Sequence, residues 1–373
     1  MIPGAQAQLF WAGSGGVVAT AGGGTWDANT TVSWRDTSPV GTAVKWSNNG
    51  AAVFQGSAGG AVAMNGSLAI GALQFSSTAG PFNFTSTGGN LSFTGAGISS
   101  ASTSDQNLNF GAVALSFASG SSAGAGAQGS HIHISISGNT NFIGTATAGS
   151  AVIANDGLMI FADQSSAGAA TVTSTNQLSF RGNSTAGAAA ITTSGILDFQ
   201  GNAHDFSAAS FINDTNGFID VSGVTLGTDV SFGALTTGAN SLLALGTTRL
   251  LVGSVNLTDG GKLDFDLGAG ARGNIVVTTS LLGNTTAGGT QIDVHNVGGL
   301  VAGQKFTLID WSSAPTVTGV ESTDFSLQPL PAGFSGSLKI ENNKLVLDVV
   351  PEPGTLSCML IGAGCLGLRR HRR

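Results

Sequence analysis

The stretch SAGAATVTSTNQLSFRGNSTAGAAAITTSGILDFQGN, residues 166–202, holds one pattern twice. Phe180 and Phe199 stand 19 residues apart, and Phe142, Phe161 and Phe218 keep the same period. Other columns share it: Ala151, Ala170, Ala189 and Ala208; Ile153, Val172 and Ile191; Met159, Leu178 and Leu197 two places before their Phe. A small triplet recurs as TAG at 147–149, SAG at 166–168 and TAG at 185–187. In the fourth copy HDF at 204–206 stands for the triplet, and Ser210 takes the apolar place.

Period two explains the copies. In QLSFRGN (177–183) Leu178 and Phe180 point one way, Ser179 and Arg181 the other; in ILDFQGN (196–202) Leu197 and Phe199 go in, Asp198 and Gln200 out. A second short strand such as Ala189-Ala190-Ile191 follows in each copy, and Gly-Asn at 182–183 and 201–202 supplies turns. One copy has too little apolar surface to fold alone, whereas stacked copies bury a continuous column. The expectation is all-β: a parallel β-helix, or β-solenoid, with an N-terminal aromatic cap and a C-terminal β closing unit, followed by a short C-terminal transmembrane helix over 354–368. An antiparallel sandwich with a weak internal repeat is the alternative.

Residues 57–254 are assigned to the repeats. LQF at 73–75, FNF at 82–84, LSF at 91–93, LNF at 108–110 and LSF at 115–117 continue the grammar at irregular spacing. Residues 9–56 carry Trp11, Trp26, Trp34 and Trp46, an aromatic cover suited to an open solenoid end. Residues 255–350 form the closing unit. There KLDFDLG (262–268) alternates, and SLKIENNKLVLDVV (337–350) makes two strands around Asn342-Asn343, a turn pair tolerant of positive φ.

The composition narrows the function. The chain has 373 residues, 58 of them Gly, and a formal net charge of −7. Setting aside four arginines and one glutamate in 351–373 leaves 9 basic against 19 acidic residues, a body near −10. Such a body argues against nucleic acid as a partner, because phosphate binding needs Lys and Arg patches. Both cysteines, Cys358 and Cys365, fall in that same segment, so the body has neither disulfide nor thiolate metal site. Ala5-Gln6-Ala7 before Gln8 has the small-x-small form of a signal-peptidase site, and residues 1–8 are read as the remnant of a signal peptide.

The stretch TWDANTTVSWRD, the Gly/Asn-rich L-x-F repeats and the segment LDFDLG…FTLIDW…LPAGFSGSLKIENNKLVLDVVPEP resemble bacterial surface proteins with autotransporter-associated β-strand repeats. That resemblance implies a β-helical, passenger-like body. Nothing after 255 holds enough alternating strands of about ten residues for a membrane β-barrel.

Several stretches invite chemistry. Gly-x-Gly-x-x-Gly occurs at 124–129, 268–273 and 362–367, but the first two run into alternating, strand-like sequence rather than a helix, so no nucleotide cofactor is expected. His131 and His133 share a strand face with Ile132 and Ile134 turned inward; no third ligand stands near in sequence, so no metal is expected. Asp198, Asp205, Asp214 and Asp220 are the densest carboxylates, and Arg181 is the one base around them. A glycosidase needs two carboxylates across a cleft. Turn and outward-strand roles explain these aspartates as well, and no catalytic residue is assigned. Asn29, Asn65, Asn83, Asn213, Asn256 and Asn284 begin Asn-x-Ser/Thr triplets.

Residues 354–368 carry no charge and are followed by Arg369, Arg370, Arg372 and Arg373. Fifteen residues fall short of the ~20 that span a bilayer comfortably, and the arginines would hold that end on the cytoplasmic side. The ordered set Pro351-Glu352-Pro353, Gly354-Thr355, apolar segment and Arg cluster closely resembles the PEP-CTERM sorting signal of Gram-negative bacteria. Gly354 stands where Ser is more usual. The resemblance implies export, recognition by an exosortase-type membrane peptidase, cleavage near the triad, transient inner-membrane anchoring, and association with exopolysaccharide, biofilm matrix or other surface proteins. A permanent single-span anchor is the bland alternative.

The expectation is thus a non-enzymatic, exported surface or matrix protein. The alternatives are a carbohydrate-active enzyme, lyase or glycosidase, on a β-helix, and a surface adhesin.

Overall fold

The computed structural model describes residues 8–352 apart from 39, 203–204, 226, 269–272, 285 and 299. The fold is all-β and β-helix-like, built of long sheets of mainly parallel strands. The chain divides into two compact units, the first reaching Ile212 and including Gly223–Thr225, the second made of Asn213–Ser222 and the residues from 226 onward.

In the first unit the chain alternates between two sheets. Val152–Asn155 pairs in parallel with Thr171–Ser174, and that with Ala190–Thr193; Leu158–Phe161 pairs with Gln177–Gly182, and that with Ile196–Gly201. Ile153 meets Val172 and Ile191 in one sheet, while Phe142, Phe161, Phe180 and Phe199 align in the other. All are buried. Parallel pairing throughout the repeat removes the antiparallel sandwich.

The phenylalanine column starts earlier than the 19-residue period shows. Phe93, Phe117, Phe142, Phe161, Phe180 and Phe199 stack with ring centroids 4.5–5.6 Å apart and planes within 12°. Aromatic pairs add about 0.5–1.5 kcal/mol each beyond their burial. Leu91 and Leu115 are buried beside their Phe. The remaining L-x-F motifs divide between the sheets, Phe75 with Phe93 in one and Phe84 with Phe110 in the other.

The small triplet is a turn. The hydroxyls of Ser122, Thr147, Ser166 and Thr185 each accept the N–H of the Gly two residues on, at 3.0–3.2 Å. The four residues also bridge from coil to coil. Gly168 has a φ of +66° and lies so close to the Gly149 carbonyl that a Cβ would collide with it. The middle alanines, Ala148, Ala167 and Ala186, are buried. Each residue of Thr/Ser-Ala-Gly therefore has a separate duty: side-chain cap, core filler and left-handed backbone.

The fourth copy departs from the expected register. The hydroxyl of Thr185 donates to the carbonyl of Asp205, 20 residues on rather than 19. The Asp205 carboxylate accepts the N–H of Ser207, repeating the turn with Asp in place of Thr. One extra residue thus shifts the positions that follow within this copy. Ala209, not Ala208, is buried; Phe211, not Ser210, takes the apolar place; and Phe206 fills the position of the small Ala186, edge-on to Phe199 at 4.7 Å. The next coil is longer again, Gly201 bridging Val224 rather than a residue 19 or 20 on, and Phe218 is half-buried while its neighbour Ile219 is buried.

The four N-terminal tryptophans cluster. Trp34 meets Trp11, Trp26 and Trp46 with centroids 4.9–5.0 Å apart, and Phe54 packs on Trp11 at 5.2 Å. All are buried. Trp34–Arg35 runs antiparallel to Gln8–Trp11, reversing the parallel pairing there.

In the second unit one parallel ladder runs through Phe218–Asp220, Leu242–Ala244, Lys262–Leu267, Thr290–Asn296 and Phe325–Leu327. Leu263, Phe265 and Leu267 face the core as their alternation requires. The other ladder runs through Val230–Thr237, Arg249–Asn256, Asn274–Leu282 and Lys305–Asp310. Direction then reverses: Lys344–Pro351 is antiparallel to both Lys305–Asp310 and Phe334–Ile340. Asn342 and Asn343, with φ of 52° and 58°, make the turn between the last two strands.

Candidate functional site

The sorting triad begins inside the fold. Pro351 is the last residue of strand Lys344–Pro351 and pairs with Phe334, and the Glu352 N–H donates to the Gly333 carbonyl at 3.3 Å. Pro353, the uncharged segment 354–368 and Arg369, Arg370, Arg372 and Arg373 lie outside the described residues. Among the described residues no helix is long and apolar enough to cross a membrane.

His131 and His133 face outward, while Ile132 and Ile134 are buried between them. Both rings turn to Asp105, carried by the loop before the adjacent strand Gln106–Gly111. Its Oδ1 lies 2.7 Å from His131 Nδ1 and 3.4 Å from His133 Nε2. The hydrogen bond from His131 leads the causes that hold the Asp105 carboxyl below its usual range. The two rings are spent on one carboxylate. Among the described residues no group of three His, Cys, Asp or Glu could hold a metal ion.

The four candidate aspartates meet local donors. Asp198 accepts from Ser179 at 2.9 Å and Gln200 at 2.6 Å through Oδ2, and from Gln177 at 3.2 Å through Oδ1. Arg181 Nε donates to the Ser179 hydroxyl at 2.9 Å. Although outward-facing, Ser179 and Asp198 are buried, because the long chains of Gln177, Arg181 and Gln200 join over them. Asp205, Asp214 and Asp220 accept backbone N–H groups one or two residues on, as turn residues do.

The Gly-x-Gly-x-x-Gly at 124–129 begins within strand Ser122–Ala125 and leads only to the single turn Gly129–His131 and then to strand Ile132–Ile136. Its Gly124 is needed for packing, since a Cβ there would come 2.6 Å from the Ala151 nitrogen. Residues 269–272 and 362–367 lie outside the described residues. Of the Asn-x-Ser/Thr sites, Asn213 and Asn284 are buried, with their amides bound to Leu242 O and to Thr290 Oγ1 and Asp324 O. Asn29, Asn65 and Asn83 are exposed and Asn256 half-buried.

A second acidic ladder lies in the second unit. Asp264 pairs in register with Asp293, and Asp266 with His295, whose Nε2 is 3.1 Å from Asp264 Oδ1. Burial, reinforced by the neighbouring carboxylates, raises the Asp264 carboxyl above its usual range against the pull of His295. The folded state therefore holds this proton more tightly than the unfolded chain. The stabilisation is complete below about pH 3.8, the ordinary value, and is lost as pH rises through the raised folded pKa. Asp264→Asn is expected to raise the melting temperature at pH 7 and to leave it unchanged at pH 3; thermal melts at the two pH values measure this.

No protein-family model, no curated protein and no solved structure matches the chain.

Proposed function

We propose that the chain is an exported, non-enzymatic protein of the cell surface or of an exopolysaccharide-rich matrix. It is a β-solenoid carried to its place by a sorting signal at 351–373. The observation that carries this reading is the ordered sequence of that segment: Pro351-Glu352-Pro353, small residues, an uncharged run and four arginines. A basic stop after a short apolar run suits transient retention in the inner membrane followed by cutting. The partner is then an exosortase-type membrane peptidase acting near the triad.

The body suits such display. A core of stacked Phe, Leu and Ile needs no disulfide, metal or partner subunit to close it. The tryptophan cluster at 9–56 serves as a cap over an open end of the stack, and the closing unit, 255–350, ends in the hairpin around Asn342-Asn343. The outward positions of the repeat are chiefly Ser, Thr, Asn, Gln and Ala, and the four candidate aspartates are engaged by local donors. The deciding test is the intact mass of the mature chain recovered from membrane and extracellular fractions.

A further inference from the structure

Three strands of the second unit, Arg249–Asn256, Asn274–Leu282 and Lys305–Asp310, border a pocket of about 350 Å³. Its polar lining consists of donors in a body that is otherwise acidic: Arg249, Asn274, Lys305 and Thr307. The half-buried Phe306 adds an apolar wall, and no carboxylate is part of the lining among the described residues.

Arg249 is the unusual member. Its Nε is shut off from solvent and has no hydrogen-bond partner among the described residues. The Asp229 carboxylate stands 3.7 Å away, near enough to offset charge but too far to accept that hydrogen. A buried donor left without an acceptor costs about 1–3 kcal/mol, more when charged. The side chains of Asn274 and Thr307 are also without hydrogen-bond partners among the described residues. Lys305 is fixed by Glu341, whose oxygens are 2.7 and 3.0 Å from Nζ. Asn274 stands beside Arg249 in register, so amide and guanidinium open to the same side of the ladder.

We propose that this pocket binds a uronic acid residue of an acidic polysaccharide. A guanidinium meets a planar carboxylate through two parallel hydrogen bonds, which a point charge cannot reproduce. Asn274 and Thr307 serve sugar hydroxyls, and Phe306 offers the apolar surface that a sugar ring's C–H face requires. That wall and those neutral donors would be idle around a bare inorganic anion. The pocket keeps this role whether or not 351–373 is a sorting signal.

The test is calorimetric titration of the full chain in detergent with three probes: trigalacturonate, the neutral galactose trimer and inorganic phosphate. Trigalacturonate is expected to bind at least tenfold more tightly than either of the others. Arg249→Gln is expected to weaken it at least tenfold, Phe306→Ala several-fold, and Arg181→Gln, in the first unit, not at all. Should Arg249→Gln fail to fold by circular dichroism, Asn274→Asp sets a carboxylate in the pocket and is expected to weaken binding equally. Absence of binding, equal affinity for the neutral trimer, unchanged affinity in both pocket variants, or phosphate binding as tight as trigalacturonate would each overturn the proposal.

Discussion

Phe180→Asp is expected to abolish the cooperative thermal transition of the chain. Phe180 is wholly buried, stacked between Phe161 at 5.1 Å and Phe199 at 5.6 Å and edge-on to Phe206 at 5.3 Å. Truncating a buried Phe to Ala already costs about 3–5 kcal/mol. Aspartate adds an unpaired charge at the centre of the column, where no donor waits for it. Against a domain stability of about 5–15 kcal/mol, the sum removes most or all of the margin. Ile196→Asp is the control, because Ile196 faces outward on the strand that carries Phe199 and is 42% exposed. It is expected to shift the melting temperature by no more than a few degrees. Circular dichroism melts compare the two; equal melting temperatures would contradict the stacked column.

A chain ending at Glu352 is expected to fold as the full chain does and to lose the transient membrane-held stage. The cut leaves intact the pairing of Pro351 with Phe334 and the bond from Glu352 N–H to Gly333 O. It removes the uncharged run and all four arginines. In pulse-labelled cells the membrane-held precursor stage of the shortened chain should fall at least tenfold, with a melting temperature unchanged. Quantitation of the label in membrane and medium fractions measures the first, calorimetry the second. An unchanged distribution would place retention in the body instead.

The repeat is legible in the sequence because its register is local. Leu178 and Phe180 alternate within one strand, and 19 residues carry the chain once round to Leu197 and Phe199. The slip after Phe199 is not legible, because a single extra residue leaves composition unchanged and shows only where Thr185 reaches Asp205. The role of Asp105 is hidden for a related reason. It lies 26 residues from His131, and only coil stacking brings them together. Burial of the outward-facing Asp198 follows from the lengths of Gln177, Arg181 and Gln200, a packing outcome that alternation does not encode. The Arg249 pocket joins strand ends from three coils, so no stretch of sequence contains it. Aligned donors at the starts of successive strands are the usable signal for such a pocket.

The central claim is that residues 351–373 are an address that is cut away. Intact mass and C-terminal peptide mapping of the mature protein, recovered from membrane and extracellular fractions, test it most directly. The account predicts a chain ending near Pro351-Glu352-Pro353 and lacking the arginines at 369, 370, 372 and 373. A mature chain that still carries residues 354–373 would contradict it.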